Sequence, residues 1–268
     1  VAQTPVILLT TLIMMTGGCQ PGATNSNEIV IGHYASMTGS EATFGQSTDN
    51  GIRLAVDEVN AAGGIGGKQI RLITYDDKGD AREAGTAVTR LTSKDGVVAV
   101  LGEVASGLSL AGAPVCQGAG VPMVTPSSTN PKVTGIGDMI FRVCFIDPFQ
   151  GSVCAKFARE HEGLKAGKAA ILTDQASPYS VGLQEEFEKA FEKLGGKVVS
   201  KQTYQGGDQD FSAQLTAIRS SEPDVVFDHE GGVHPAGSQG GFHEHEDAVA
   251  RGDFHLAEAE AGASVHVD

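Results

Sequence analysis

Tryptophan is absent from the 268 residues and tyrosine occurs only four times, which argues against a large aromatic-lined binding site. Cations are scarce: 19 Lys+Arg stand against 33 Asp+Glu, for a net charge of −14. No clustered cationic face is offered to phosphates, so nucleic acid is excluded as a partner. The plain meaning of the acidity is solubility. None of the four cysteines forms a CxxC pair, so a zinc ribbon or a thioredoxin-type centre has no support. Catalytic signatures are missing as well: there is no nucleophile elbow, no HExxH and no DxDxDG loop. The chain reads as a non-enzyme that needs no cofactor. Asp76 and Asp77 end one strand side by side, but neighbouring strand residues point to opposite faces, so they do not make a shared acid–base pair.

Charge is also missing from the first 27 residues. Residues 6–15, VILLTTLIMM, form an apolar run of secretory length, too short for an ordinary membrane span. TGGC then resembles a bacterial lipoprotein cleavage box, with Cys19 as the residue that would carry the lipid. Thr16 departs from the usual Leu there, and no basic residues precede the run. PGATNSN (21–27) suits a flexible tether, so 1–27 reads as leader and tether. Cys116, Cys144 and Cys154 are expected to be buried structural thiols, with a Cys144–Cys154 bridge as the alternative in an oxidising compartment.

From residue 28 to 227 the chain alternates apolar strand runs with amphipathic helical stretches. Strands are expected at 28–34, 68–77, 97–102, 121–126, 139–145, 168–174, 197–204 and 223–227. Ile52, Ala55, Val56 and Val59 stripe the first helix; Ala81, Ala84, Ala87, Val88 and Leu91 stripe the second. The glycine-rich stretch 63–67 lacks the Lys-Ser/Thr of a phosphate loop and follows a helix, so it is a turn. The βα period predicts parallel sheets flanked by helices. After Phe227 the period stops. Residues 228–268 hold one Arg, no Lys, nine acids and six of the eight His, and read as an atypical, disordered or out-of-frame tail. His243 and His245 in FHEHED offer a minor metal-binding alternative.

Several separated segments, GHYASMTGSEATFGQSTDNGIRLAVDEVNAAGGIGGKQIRLITYDD, VLGEVAS, VPMVTPSSTNP, IFRVCFIDPFQG and ILTDQASPYSVGLQEEF, resemble in order the leucine/branched-chain amino acid-type substrate-binding proteins of ABC transporters. The resemblance implies the two-lobed type I periplasmic-binding-protein fold, with residues 28–143 opening the first lobe and 144–227 the second. It implies a monomeric, extracytoplasmic receptor, lipid-anchored through Cys19, that closes on an amino acid and delivers it to membrane permease subunits. A ligand sensor of the same fold is the alternative. The fold is expected to be incomplete at its C-terminus, leaving an open sheet edge and apolar helix faces uncovered.

An amino acid carboxylate needs amides at a helix start and hydroxyls. GEVASGLS and TPSSTNP, both after strand C-termini, provide them. Read plainly, Ser106 is an N-cap and Ser127–Thr129 a polar turn. By resemblance, Ser106 and Thr129 hold the carboxylate, the Ser127 carbonyl helps receive the ammonium, and Tyr179 closes from the second lobe. Phe44 is expected in core packing. The family's acid for the ammonium finds no match after Phe227, so the chain is expected to bind weakly or to be a non-functional fragment.

Overall fold

A computed structural model describes residues 27–228 and 233–235. Its elements run β1 (Glu28–Ala35), α1 (Ala42–Ala61), β2 (Gln69–Asp76), α2 (Ala81–Ser93), β3 (Ala99–Leu101), α3 (Ser106–Ala119), β4 (Met123–Thr125), β5 (Ile140–Arg142), α4 (Asp147–Glu160), β6 (Lys168–Asp174), α5 (Pro178–Lys193), β7 (Lys197–Tyr204), α6 (Ser212–Ser220), β8 (Val225–Phe227) and β9 (Val233–Pro235). Two sheets result, a five-stranded one in the order β2-β1-β3-β4-β5 and a four-stranded one in the order β7-β6-β8-β9. All pairs in the first sheet are parallel, from Glu28↔Gln69 to Ala35↔Asp76 between β1 and β2. Parallel neighbours need crossovers, which helices provide for all these strands except β4 and β5, joined by a loop with one 3-10 turn at Thr134–Ile136. The α/β class with helix-flanked parallel sheets is therefore as the sequence pattern predicts. β9 departs from it: this short strand lies past Phe227 and pairs antiparallel with β8. Three residues are too few to show a period.

The first core lies between the sheet and the pair α2 and α3. Asp80 starts α2 by accepting hydrogen bonds from the Arg82 and Glu83 amides. The expected stripe then goes inward, with Ala84, Val88 and Leu91 fully buried against Tyr34, Val100 and Met123. The glycine content of α3 has a packing cause. A Cβ on Gly112 would stand 2.6 Å from the Tyr34 hydroxyl oxygen, so only glycine lets α3 lie this close.

The second core is aromatic. Leu183, Phe187 and Phe191 recur every four residues on α5, one helical face. Phe187 stacks on Phe227 of β8 at 3.9 Å between ring centroids and on Phe191 at 5.4 Å. Each buried ring contributes roughly 2–3 kcal/mol from removal of apolar surface.

α1 differs from both. Its C-terminal end is anchored: Asn60 donates to the Ile70 carbonyl at 2.9 Å and accepts from the Ile70 amide at 2.7 Å. Yet only Gly45 and Asp49 of this helix are buried. The Ile52–Val59 stripe instead borders an apolar trough of about 450 Å³ with Ile70, Leu101 and Pro126. Phe44 is 57 % exposed, contrary to the expected core position. β5, an edge strand, and the segment after it expose Phe141, Val143, Ile146 and Phe149. Among the cysteines Cys116 is buried, while Cys144 and Cys154 are half-buried, and among the described residues no disulfide joins any of them. Burial pushes the Cys116 thiol up to about 12.

Phe187→Ala removes the centre of the aromatic stack. It is expected to cost about 3–5 kcal/mol, read as a lowered midpoint in chemical denaturation followed by circular dichroism.

Candidate functional site

Parallel strands bring their C-terminal ends to one side, where β1, β3 and β4 each release a loop. The carbonyl of Glu103, just past β3, is the point where the loops after β3 and β4 meet. It accepts the Thr125 hydroxyl at 2.6 Å and lies 3.1 Å from the hydroxyls of both Ser109 and Ser128. Ser109 and Ser128 also touch each other at 2.7 Å, and Ser128 reaches the Val104 carbonyl at 3.0 Å. All of these hydroxyls are buried, so the turn into α3 and the turn after β4 are fastened as one body.

Ser106 opens α3 as its first helical residue; the N-cap is Ala105, which makes no side-chain cap. The capping reading of Ser106 is thus incorrect, because its hydroxyl is engaged elsewhere. It accepts the Asn130 amide at 3.2 Å and is 2 % exposed. A hydroxyl has one proton and two lone pairs, and among the described residues the Ser106 proton has no hydrogen-bond acceptor. Thr129 is buried next to Asn130, and its carbonyl accepts the Asp147 amide at 3.1 Å. Ser127 is exposed and its hydroxyl donates to the Val104 carbonyl at 3.3 Å. Tyr179, half-buried on the first turn of α5, accepts from the Gln150 amide nitrogen at 2.8 Å. Cys19 and the His243/His245 cluster lie outside the described residues.

Asn130 joins these positions, a role its place in a polar turn does not reveal. Its amide binds Ser106 and its side chain donates to the Pro178 carbonyl at 2.7 Å, beside Tyr179. Gly182 makes the approach of α5 feasible, since a Cβ there would lie 2.6 Å from Asp147 Oδ2 and 2.8 Å from Asn130 Nδ2. Ser106, Thr129 and the start of α5 are therefore neighbours, with Ser127 on the outer rim. Arg142 holds the loop from below, donating to the Ser128 carbonyl at 2.8 Å, the Asn130 carbonyl at 2.9 Å and the Thr134 hydroxyl at 2.6 Å. A lone Arg inside the apolar run MIFRVCF was the available signal for it.

Asp147, at the start of α4, is fully buried, and among the described residues neither carboxylate oxygen has a hydrogen-bond partner of good geometry. Burial pushes its carboxyl up to about 6, opposed by the Thr129 hydroxyl and the Arg142 charge and reinforced by Glu186. A surface depression of about 580 Å³ beside Arg82, Arg90 and Lys94 lies on α2 and α3 away from these loops. Among the described residues no group of three or more His, Cys, Asp or Glu side chains is placed to hold a metal, and no helix is long and apolar enough to cross a membrane.

A raised carboxyl favours the folded state while protonated. The stability Asp147 contributes is full below its unfolded value of 3.8 and is lost as pH rises through about 6. Asp147→Asn is expected to flatten this part of the profile, so that the variant gains on the native chain between pH about 4 and 6.5 in thermal unfolding.

The periplasmic binding protein family matches residues 28–234, running past Phe227 into the start of the acidic tail. A Leu/Ile/Val-binding protein homolog of Brucella abortus is 37% identical over 215 residues, covering 80% of this chain and 56% of that protein. A leucine binding protein of Thermotoga maritima superposes with a TM-score of 0.70 at 40% identity, covering 75% of this chain and 55% of its own. The branched-chain amino acid transporter substrate binding protein of Streptococcus pneumoniae, in complex with isoleucine, gives 0.69 at 36% identity, covering 75% and 56%. The chain thus spans about half the length of the relatives it matches. These relatives are binding proteins, and their fold is the one described above. On the extent of these matches, the chain belongs to the periplasmic binding protein family.

Proposed function

We propose that this chain is the receptor part of an ABC importer, binding a branched-chain amino acid between two lobes, 28–143 and 144–227. The observation that carries the reading is the buried Ser106 hydroxyl at the first turn of α3, whose proton lacks an acceptor among the described residues. First-turn amides of a helix have no intrahelical acceptors, and their partial positive charge favours a carboxylate. Ser106 donates to that carboxylate together with these amides. Thr129 joins after turning from Asp147, the Ser127 carbonyl faces the ammonium, and Tyr179 covers the ligand from α5.

Ser106 and Thr129 are buried here and α5 touches the loop through Pro178, so ligand entry requires the two lobes to part. Binding then shifts the population toward the closed arrangement. The relatives' names support branched-chain ligands and a transporter partner. Extracytoplasmic placement, anchoring through Cys19 and action as a monomer belong to the same reading. Reaction chemistry has no place in it.

Titration of the full chain with L-leucine, L-isoleucine and L-valine, followed by amide NMR, tests the proposal. The amides of residues 105–108 and 128–130 are expected to shift saturably at millimolar ligand. Ser106→Ala is expected to weaken the apparent affinity about tenfold or more, the usual loss for one hydrogen bond to a charged group. Unchanged amides at these loops with all three ligands would contradict the assignment.

A further inference from the structure

Beneath the first turn of α3 lies a second acidic group that the binding reading does not use. Asp77, Glu103 and Ser36 come from three separate loop starts and are essentially sealed from solvent, at 0 %, 0 % and 1 % exposure. The Ser36 hydroxyl stands 2.9 Å from Asp77 Oδ1 and 3.0 Å from Glu103 Oε1. A hydroxyl carries a single proton. If both carboxyls were ionised, one of these contacts would set oxygen against a carboxylate oxygen with no hydrogen between, in a dry interior. If one carboxyl keeps its proton, that acid donates to Ser36 and Ser36 donates to the other. Both contacts are then hydrogen bonds.

The remaining donors are backbone amides. Ser36 N–H reaches Glu103 Oε1 at 3.0 Å, Ala105 N–H reaches Glu103 Oε2, and Gly79 N–H reaches Asp77 Oδ1 at 3.0 Å. Asp77 Oδ2 is buried with no hydrogen-bond partner among the described residues. Ala105 is the N-cap of α3 and Ser106 is its first residue. The negative charge of the pair therefore sits directly under the amides assigned above to a ligand carboxylate.

We propose that Asp77 and Glu103 share one proton across Ser36, and that keeping this proton is a condition for a carboxylate ligand to bind at the start of α3. The inference rests on the proposed binding function for its ligand half and is independent of it for the shared proton. With the proton held, the pair carries one negative charge, and the amides and the Ser106 hydroxyl can accommodate another anion. Once it is lost, two adjacent charges lie under the site and the Ser36 bridge fails. Glu103 and Asp77 act by positioning and charging the helix start; neither touches the ligand.

The groups facing the pair agree in sign. Burial, then the Asp77 charge, pushes Glu103 up to about 7. Burial raises Asp77 as well, with Asp76 at the end of β2 and Asp80 at the start of α2 adding to it. Tyr34 of β1, buried and raised, faces both carboxyls as a neutral phenol. His33, also on β1, is set by burial, the Leu101 carbonyl, Asp49 and Arg53 and not by the pair; lowered chiefly by burial, it makes the folded chain more stable as pH rises. The pair titrates as a unit, so its last proton belongs to both residues.

Carbon-detected NMR of the ligand-free full chain, from pH about 5 to 8.5, reads the proton directly. One transition of the pair is expected near 7, and Asp77→Asn is expected to return Glu103 toward the ordinary carboxylate range. Both carboxyls titrating in the ordinary range in the native chain would overturn the shared proton. The ligand half is read by amide-shift titration with L-leucine. With one linked proton, the apparent Kd is expected to be about tenfold higher at pH 8 than at pH 6. Asp77→Asn and Glu103→Gln are each expected to keep the low-pH affinity at pH 8, so the test survives the misfolding of either variant. Leucine binding that is equal at both pH values would overturn the linkage. Failure of leucine to bind at any pH would overturn the binding function instead, and with it the ligand half, while the ligand-free titration still decides the proton.

Discussion

One carbonyl oxygen organises the ligand end of the first sheet. Glu103 lies just beyond β3, and its main-chain oxygen receives the hydroxyls that tie the α3 turn to the turn after β4. Three hydroxyls around an oxygen with two lone pairs is one more than it can hold at once. Ser109 and Ser128 resolve this by sharing protons with each other and with the Val104 carbonyl. Because Glu103 and the three hydroxyl residues are buried, water has little access to relieve a broken contact, and the network holds one arrangement. Ser106, Thr129 and Asn130 inherit their positions from it.

Electrostatics at this end follow from the same close packing. The strand termini collect acids, and burial makes the charged forms of Asp77, Glu103 and Asp147 costly. Asp76, half-buried at the position before Asp77, shows the contrast. Against the cost of burial, the Thr38 hydroxyl and the amides of Lys78, Thr38 and Met37 hold it below the usual carboxylate range. Four carboxyls within one end of a sheet thus differ in proton affinity through burial and donor supply. A carboxylate ligand entering this end meets one fixed amide cluster and an acidic layer beneath it. The second sheet joins through Asn130 and Pro178, with glycine at 182 clearing the space.

Periodic features were legible in the sequence. The α2 stripe and the Leu183–Phe187–Phe191 face are repeats along one helix, and both are core. The α1 stripe is equally periodic yet borders an open trough, because period reports which face is apolar and not what covers it. Phe44 went the same way. Ser106 looked like a cap since local sequence cannot show that a residue 24 positions away supplies its partner. The reading that Asp76 and Asp77 do not pair was sound in its geometry. Asp77 turns instead to Glu103 through Ser36, and only the crossover from β2 to β3 brings them together. β9 was too short for any pattern to reveal.

The central claim is that the start of α3, fastened to the turn after β4, holds a ligand carboxylate. A crystal structure of the full chain grown with L-leucine tests it most directly. The account predicts the ligand carboxylate within hydrogen-bonding distance of the Ser106 hydroxyl and the first amides of α3, with Thr129 turned toward it and Tyr179 above. Leucine seated elsewhere, in the α1 trough or on the α2–α3 surface, with these amides bare would contradict it.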